Sequence, residues 1–546
     1  MKRFYKKISI GIVVITLVII TAGFQSKFFE VAKQIDIFTT MFKELNMYYI
    51  DEINPADLMK HAVENMLETL DPYTRYYDEQ GVEDARVAAT GEFGGIGALS
   101  KFKNNSLQIR EIIKNTPAEK AGLKPGDNIL KIDNIVVAEF NEKGANTLIN
   151  GLPGSEVKLA IQRMDKTFEV ELVRKKIELN PVPYYTKLKD NVGYISFTTF
   201  NEKAAKKVKD AFMELKEEGI KSLIIDVRGN PGGLLNEAVK ITNFFIPKDK
   251  IVVTTKAKIQ KWSDIFKTKN EPIDVTMPIA ILIDNYSASA SEILAGALQD
   301  YDRAVIIGER SFGKGLVQRY RELSYGTQMK ITISKYYTPS GRNIQKLDYT
   351  NRDKDGNVPE FSDKGSRQFK TLNGRAVFGG GGIRPDIDLK KGSITKTTET
   401  LLNSDALFNY VTHYFYKNAT IANPTTFQLS NVDYYTFKNY LNANHVDFKT
   451  ELEMDFEKAM QKDSEDNLVK NLDNSYSALT SKIQEEKLKE LDKNKEEIIN
   501  KLSEEIIKRY YYTEGVYKHK AVFDQEILKA VEILNNSKKY NQILNN

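Results

Sequence analysis

The chain has no cysteine among its 546 residues, and it has only four histidines. The absence of cysteine excludes disulfide bonds, a thiolate nucleophile and cysteine-ligated metals. The histidines are at positions 61, 413, 445 and 519. None therefore lies at residues 62–412, the span that holds most of the glycine-rich loops. A Ser-His-Asp triad assembled within that span is therefore excluded, and a serine nucleophile there needs another base.

The chain also lacks a strong charge imbalance. Its 79 basic and 74 acidic residues leave a net charge of +5, and nothing in this balance calls for a nucleic-acid partner. The hydrophobic content is 41%, so a chain of this length can bury a sizeable core. We expect three or more domains.

The N-terminus carries a targeting signal. Lys2, Arg3, Lys6 and Lys7 precede an uncharged, mostly apolar run at residues 8–24. Its length is at the short end of a membrane span, which needs roughly 20 residues, and it also fits a secretory signal. The basic flank predicts that the chain after this run crosses the membrane. Residues 21–23 form only a weak cleavage site, so we favour an uncleaved inner-membrane anchor facing the periplasm over export.

Four regions with different sequence patterns follow this segment. The pattern is helical over residues 27–90, with apolar residues at three- and four-residue steps. Short strands follow over residues 91–178, and alternating strands and helices over residues 179–392. The last region, residues 393–546, is rich in tyrosine, asparagine and lysine and is predicted to be helical; in its charged part, residues 482–509, leucine and isoleucine recur at helical spacing. We therefore predict a segment 1–26 for targeting, a helical region, a mainly β domain with two helices, an α/β domain and a helical C-terminal region.

The β-rich region resembles a PDZ domain. It has a glycine loop at residues 94–97, a short helix at 116–123, a Pro-Gly-Asp turn at 125–127 and a further helix at 140–149. PDZ domains bind the C-terminal carboxylate of a peptide on backbone amides, and the peptide adds as a strand. The resemblance places that carboxylate loop at Gly95, Ile96 and Gly97. A tight turn without a ligand is the alternative interpretation.

One stretch of the α/β region combines a strand, a turn and a helix around serines. An apolar strand at residues 281–283 is followed by the turn and then by Ser-Ala-Ser-Ala-Ser at 287–291, which opens an Ala-rich helix. A serine in such a turn exposes its hydroxyl beside helix N-terminal amides, which can receive the charge of an oxyanion. Ser289 with Glu292 three residues later is also an ordinary capping box.

A lysine could replace the missing histidine as a base. Lys314 lies between Gly313 and Gly315 in an otherwise apolar stretch, and a buried lysine can be neutral near working pH. Gln318, four residues on, could orient its amine. A surface lysine in a glycine turn explains the same residues, and spacing alone does not decide between these alternatives.

Four motifs together resemble the carboxy-terminal (tail-specific) processing proteases, a serine peptidase family with a Ser-Lys dyad. They are SASASEILAGALQD, DVRGNPGG, FGKGLVQ and YYTPSGRNIQ, found behind a PDZ domain, and the long helical tail is similar to versions of the family from the Bacteroidota. The resemblance implies a crotonase/ClpP-like α/β core with an inserted PDZ domain. It implies Ser289 as nucleophile, Lys314 as base and Gln318 as its orienting partner. The oxyanion donors would be Ala290 and one of Gly232 and Gly233.

The resemblance implies a serine endopeptidase that binds protein tails with apolar C-termini and cleaves them through an acyl-enzyme, with no metal or cofactor. The membrane, a homo-oligomer partner and an adaptor protein are further expected partners. The alternatives are an inactive PDZ scaffold or chaperone-like binder and, more remotely, a polysaccharide- or lipid-active hydrolase. One position departs from the family: Asn150 stands where many relatives have an arginine that links peptide occupancy to assembly of the active site.

Overall fold

The computed structural model describes residues 28–140, 142–361, 367–389, 394–444, 448–462 and 467–545. The apolar run at residues 8–24 lies outside the described residues. Among those that are described, no helix combines the length and the apolar character that a membrane crossing requires.

The N-terminal region is mostly helical, as predicted, but it also contains a strand. Its helices are α1 (28–48), α2 (Pro55–Glu68) and α3 (Glu79–Thr90). The strand β1 (Arg75–Tyr77) pairs antiparallel with a long strand of the α/β region, β18 (Gln328–Tyr337). The sequence pattern did not predict this strand, because its partner strand is far away in sequence.

The β-rich region forms one compact sheet with two helices, which confirms the predicted domain type. The sheet order is β3-β4-β5-β7-β8, with β6 beside β5, and β2 pairs with β9 to close the domain. Apolar residues from alternate strand positions and from α4 and α5 form its core. The elements are β2 (Glu92–Gly95), β3 (Ala98–Lys103), β4 (Ser106–Ile112), α4 (Pro117–Lys120), β5 (Asn128–Ile132), β6 (Ile135–Val136), α5 (Glu142–Ile149), β7 (Glu156–Arg163), β8 (Lys166–Val173) and β9 (Lys175–Glu178).

The α/β region is built on a sheet of order β10-β11-β12-β15-β16-β21. The strands from β11 onward are parallel, and their near-continuous apolar sequences agree with burial on both faces. Helices α6, α7 and α8 cover one face. The elements are β10 (Tyr184–Lys187), β11 (Val192–Ser196), α6 (Ala204–Glu217), β12 (Ser222–Asp226), α7 (Leu235–Thr242), β15 (Ile279–Ile283), α8 (Ala290–Asp300), β16 (Val305–Gly308) and β21 (Ile387–Asp388).

A second, antiparallel sheet lies beside the first. Its order is β1-β18-β13-β14, and β17 pairs with β18. In this sheet β18 lies between the strand of the N-terminal region and β17, the strand that follows Lys314. Its remaining strands, and a small separate hairpin, are β13 (Ile251–Ala257), β14 (Asp264–Lys267), β17 (Leu316–Glu322), β19 (Gln368–Lys370) and β20 (Ala376–Phe378).

The C-terminal region is helical, as predicted, and its helices form a core of their own. That core joins α9, α10 and α11 to the long helix α14. The helices are α9 (Lys396–Asn403), α10 (Asp405–Lys417), α11 (Asn431–Ala443), α12 (Glu451–Lys462), α13 (Asn467–Glu490), α14 (Lys495–Phe523), α15 (Gln525–Asn535) and α16 (Ser537–Asn545).

The last two helices leave this core and cover the second face of the parallel sheet. Apolar residues of α15 and α16 pack on β11, β12, β15 and β16, and the Tyr540 hydroxyl accepts a hydrogen bond from the Ile279 amide at 2.9 Å. Asp524, at the N-terminus of α15, pairs with Arg228 in the loop after β12 at 2.9 Å. The sequence pattern did not predict that the C-terminal helices complete the α/β core.

Candidate active site

The predicted nucleophile turn follows β15. Ser289 is the N-cap of α8 and has φ 55° and ψ −109°, a conformation that costs free energy for a residue with a side chain. Its neighbours Ala288 and Ala290 are buried, whereas Ser289 is half-exposed. A strained strand-to-helix turn that presents one serine outward is the geometry of a nucleophile elbow.

The two neighbouring serines hold this turn against the loop that follows β12. The Ser287 hydroxyl donates to the Val227 carbonyl at 2.8 Å, and the Ser291 hydroxyl donates to the Asn230 carbonyl at 2.9 Å. Both serines are fully buried. They are therefore structural, and Ser289 is the serine of the motif that remains available.

The same loop provides the glycines predicted for an oxyanion site. A Cβ on Gly232, which has φ +96°, would lie 2.8 Å from the Ala290 amide nitrogen, so this glycine packs directly on the nucleophile turn. The Gly232 amide donates to the Asn230 side chain at 2.9 Å. Among the described residues, the amides of Gly233 and Ala290 have no such acceptor, which distinguishes Gly233 from Gly232.

Glu292 joins the nucleophile turn to the lysine loop. One oxygen of its carboxylate accepts the Ser289 amide at 2.8 Å and the Lys314 amide at 2.9 Å. The other oxygen accepts the Ser311 hydroxyl at 2.6 Å and the Gly313 amide at 2.7 Å. Burial raises the pKa of Glu292, and these four donors oppose that rise. Since they occupy all four acceptor positions of a carboxylate, we conclude that Glu292 is ionised.

The capping interpretation of Glu292 is thus correct in part and incomplete. Its side chain does receive the amide of the N-cap residue, as in a capping box. Its bonds to the Gly313 region reach across to a loop that sequence spacing could not connect to it. The capping signal hid a residue that organises both halves of the site.

Lys314 has the environment expected of a weakly basic lysine. Burial, followed by the nearby charge of Lys330, lowers its pKa to about 8. Its Nζ atom lies 4.5 Å from the centroid of the Tyr73 ring. No hydrogen bond joins this Nζ to the Ser289 hydroxyl within the described part of the chain. Such bonds often form only when substrate binds.

Among the described residues, no hydrogen bond joins Gln318 to Lys314, for which the resemblance implied it as orienting partner. Its side-chain amide donates to the Thr332 hydroxyl at 3.2 Å, and that hydroxyl donates to Asp71 at 3.1 Å. A bulge between Val317 and Gln318 shifts the register of β17 against β18, so a four-residue spacing does not guarantee a shared face. The structure therefore connects Gln318 with the N-terminal region and leaves its orienting role a prediction.

Sequence analysis missed the contribution of the turn at Asp71 and Tyr73. The Asp71 carboxylate accepts the amides of Tyr73 and Thr74, both at 2.9 Å, and it is buried. The signal was present as the run Leu-Asp-Pro-Tyr-Thr at residues 70–74, but nothing in the sequence indicated its partner. This turn delivers the Tyr73 ring to Lys314.

The PDZ carboxylate loop is built largely from backbone contacts. Gly95, Ile96 and Gly97 are buried, and the Ile96 carbonyl accepts the Ala118 amide at 2.8 Å. Strand β3, which follows the loop, is an edge strand of its sheet and faces α5. An added peptide strand would pair with such an edge. Asn150 is exposed and lies against this loop, because a Cβ on Gly95 would be 2.9 Å from its side-chain oxygen.

The PDZ domain is fastened to the C-terminal helices by charge. Asp405 at the start of α10 pairs with Lys101 at 3.4 Å, Lys103 at 3.1 Å and Arg110 at 2.7 Å. Burial opposes ionisation of Asp405, but these cations outweigh it and lower its pKa to about 2. The Arg110 guanidinium also lies 4.1 Å from the centroid of the Phe408 ring.

A metal centre is not indicated by the side chains that the structure describes. Across those residues, no group of three or more histidine, cysteine, aspartate or glutamate side chains is arranged to hold a metal ion.

Three family models match the chain. The peptidase family S41 model matches residues 191–351, a PDZ domain model matches residues 94–173, and a model described as the C-terminal helical domain of a probable PDZ-protease matches residues 397–534. The three matches fall on the α/β core, the β-rich domain and the helical region described above.

Curated relatives are similar over most of their length. A probable CtpA-like serine protease of Staphylococcus haemolyticus is 36% identical over 347 residues, which cover 61% of this chain and 69% of that protein. A carboxy-terminal-processing protease of Bartonella bacilliformis is 36% identical over 326 residues, covering 58% and 74%. Among solved structures, the photosystem II D1 C-terminal processing protease is 26% identical and covers 65% of this chain and 86% of its own, with a TM-score of 0.36.

Proposed function

This chain belongs to the carboxy-terminal-processing proteases of peptidase family S41 and is a serine-type peptidase, and on that premise we propose that Ser289 is its nucleophile and Lys314 its general base. The Lys314 amine takes the hydroxyl proton as Ser289 attacks the scissile carbonyl. The protonated lysine then gives that proton to the leaving amine. Water, activated by the same amine, hydrolyses the acyl-enzyme and restores Ser289.

The Glu292 carboxylate is the observation that carries this assignment. One of its oxygens binds the backbone of Ser289 at 2.8 Å and that of Lys314 at 2.9 Å, so the two residues are held at one point of the fold. The lowered pKa of Lys314, about 8, supplies a substantial neutral fraction near neutral pH. A surface lysine in a glycine turn would have neither property.

The backbone amides of Ala290 and Gly233 fit the role of oxyanion donors. Both belong to the segments that meet at Gly232, and neither amide is bonded to another described residue. The Gly232 amide is already bonded to Asn230, which supports Gly233 as the second donor. Their charge stabilisation would act in the tetrahedral intermediate, where the oxygen carries a full negative charge.

We further propose that the PDZ domain binds the C-terminal tail of the substrate protein. The tail would add to the edge of β3, with its carboxylate at the loop formed by Gly95, Ile96 and Gly97. The PDZ domain of a carboxy-terminal protease from Vibrio cholerae has been solved in complex with a peptide; it is 31% identical and covers 16% of this chain and 99% of its own, with a TM-score of 0.16. The tails proposed as ligands end in apolar residues.

The test compares the purified full chain with its Ser289→Ala and Lys314→Ala variants. Each is incubated with an unfolded substrate protein ending in apolar residues, and product masses are followed over time. We expect cleavage by the wild-type protein alone, with all three proteins retaining the same circular dichroism spectrum. A substrate with an amidated C-terminus serves as control and should be cleaved more slowly.

Two outcomes would contradict parts of this proposal. Full activity in Lys314→Ala would remove the dyad while leaving the peptidase assignment intact. Binding of the tail without cleavage by the wild-type protein would favour the inactive scaffold, or a peptidase that needs an adaptor protein. Equal cleavage rates for substrates with free and with amidated C-termini would show that the PDZ domain does not select substrates by their terminal carboxylate.

We also propose a membrane anchor and a homodimer through the N-terminal region. The anchor is the run at residues 8–24. Its test is flotation of the chain with liposomes, which deletion of residues 1–26 should abolish.

The dimer is supported by α1, whose apolar residues repeat at heptad spacing and are exposed or half-exposed; they are Phe28, Val31, Ile35, Phe38, Phe42 and Leu45. Sedimentation of Ile35→Glu as a monomer, against a wild-type dimer, is the expected result.

A further inference from the structure

The base of the proposed dyad is covered by a residue from the N-terminal region. Lys314 Nζ lies 4.5 Å from the centroid of the Tyr73 ring, within the range of a cation–π contact. Tyr73 belongs to neither the PDZ domain nor the strand-and-helix unit that holds Ser289. The contact therefore joins the reacting amine to a separate part of the chain.

The ring is held in place from three directions. Asp71 accepts the Tyr73 amide at 2.9 Å, and the Thr332 hydroxyl of β18 donates to the same carboxylate oxygen at 3.1 Å. Strand β1 continues from this turn and pairs with β18, with Arg75 opposite Lys330. On its other side the ring meets Tyr349 edge-on, with centroids 6.1 Å apart. These contacts fix the position of the Tyr73 side chain beside Lys314.

We propose that Tyr73 is a positioning residue for Lys314: its ring closes the lysine pocket against water and holds the amine by its face. This inference rests on the proposed role of Lys314 as general base. Because Tyr73 acts through that lysine, its removal changes the protonation and placement of the base, and the binding of substrate tails at the PDZ domain stays as it was.

The sign of the expected change follows from the groups around the amine. Burial and the cations Lys330 and Arg75 lower the pKa of Lys314, whereas Glu292 and Asp71 raise it. Burial is the largest of these effects. The ring face favours the ammonium, whereas the ring also excludes water; we expect exclusion to prevail, because burial is the largest cause of the lowered pKa of Lys314. Tyr73 itself stays neutral, since burial and the Tyr349 hydroxyl raise its pKa.

The first measurement is the pH dependence of kcat and KM for Tyr73→Ala between pH 6 and pH 10. Opening the pocket raises the pKa of the lysine, so the rising limb of kcat moves to higher pH. Each unit of that movement lowers the neutral fraction at pH 7 about tenfold, so we expect a tenfold to hundredfold loss of kcat with KM little changed. Activity should recover partly by pH 9 to 10.

Conservative variants separate this role from a structural one. Tyr73→Phe keeps the ring, so its kcat should rise over the same pH range as that of the wild-type protein. Tyr73→Leu keeps the bulk without a ring face, so the pH at which its kcat rises should lie between those of Tyr73→Phe and Tyr73→Ala. Tyr76→Ala, on strand β1 just after the turn that holds Tyr73, is the matched control and should leave the pH dependence of kcat unchanged. If Tyr73→Phe lost as much activity as Tyr73→Ala, the ring-face argument would be overturned.

A direct titration distinguishes failure of this inference from failure of the dyad. In a Ser289→Ala background labelled at lysine Cε, the Lys314 signal is assigned by its loss in Lys314→Arg and followed by NMR through pH. We expect it to titrate near 8 and to move upward in Tyr73→Ala. An unmoved titration, with Lys314→Ala inactive, would overturn the Tyr73 inference alone. Full activity in Lys314→Ala would overturn the base assignment and the catalytic meaning of Tyr73 with it.

Discussion

The nucleophile turn and the PDZ domain are attached to the molecule by opposite kinds of contact. The turn is held by buried hydrogen bonds that leave no acceptor of Glu292 unused, and its two flanking serines are fully buried. The PDZ domain is held to the helical region by ion pairs of partly exposed side chains, such as Lys101 with Asp405 and Lys114 with Glu514.

This difference in the kind of contact indicates which part of the molecule can move more easily. A buried hydrogen bond left without its partner costs about 1–3 kcal/mol, whereas an exposed ion pair contributes about 0–1 kcal/mol. The nucleophile turn therefore cannot shift without disrupting the core. We expect the PDZ domain to change its attachment at a smaller cost than the turn.

Of the replacements considered, that of Glu292 should cause the largest loss of stability and activity. In Glu292→Gln, the side-chain NH2 faces amide donors in place of an acceptor, so we expect a loss of about 2–4 kcal/mol in the free energy of unfolding and at least a hundredfold fall in kcat. Urea unfolding and cleavage rates measure both. Glu217→Gln on the exposed side of α6 is the control. Retained activity would show that the turn and the lysine loop are held together by other contacts.

A pair of glycine variants separates close packing from backbone strain. A Cβ on Gly232 would meet Ala288 and Ala290 at 2.6 and 2.8 Å, whereas one on Gly229 would meet nothing within 4 Å, and both glycines have positive φ. We expect Gly229→Ala to cost about 1 kcal/mol with activity kept, and Gly232→Ala to cost about 2–4 kcal/mol with at least a tenfold loss of kcat. Equal losses of activity in the two variants would contradict the packing of Gly232 on the nucleophile turn.

Replacing the base with an apolar residue should abolish cleavage and raise stability. The pKa of Lys314 falls from 10.5 in the unfolded chain to about 8 in the fold, so the folded state binds its proton less tightly. This destabilises the fold fully below pH 8 and not at all above pH 10.5. Lys314→Met should therefore gain about 1–3 kcal/mol at pH 7 and nothing near pH 11. A gain independent of pH would show that the amine is not the cause.

The smallest effect is expected at the PDZ attachment. Asp405→Asn removes the charge that Lys101, Lys103 and Arg110 share, and we expect less than about 1 kcal/mol of destabilisation. Hydrogen exchange should nevertheless rise in β3 and β4. The pKa of Asp405, about 2, lies below that of the unfolded chain, so its contribution is present above pH 4 and lost as the pH falls through 2. Asp210→Asn, in an exposed helix pair, is the control.

Local patterns predicted most of the fold. The apolar strand predicted at residues 281–283 lies within β15, and the PDZ and protease motifs marked their domains. Each is contained in a few neighbouring residues, so its signal is local. The proposed residues Ser289 and Lys314 were found in the same way.

What sequence could not predict depends on pairs far apart in the chain. Asp71 meets Thr332 across 261 positions, and nothing in either segment specifies the other. The bulge between Val317 and Gln318, which changes the register of β17, could not be read from the four-residue step between Lys314 and Gln318 either, and the orienting role of Gln318 stays a prediction. The placement of α15 and α16 was missed for a related reason, since an amphipathic pattern states that a face is buried but not against what.

The cover of the parallel sheet by α15 and α16 has a consequence for how the chain folds. Ile279 and Tyr540, which meet at that surface, are 261 residues apart, so one face of the central sheet stays bare until nearly the whole described chain is available. A core completed so late folds slowly and exposes apolar surface while it waits. The protease domain is thus finished last, after the PDZ domain has formed from contiguous sequence, so the domain that binds tails exists before the one that cuts them.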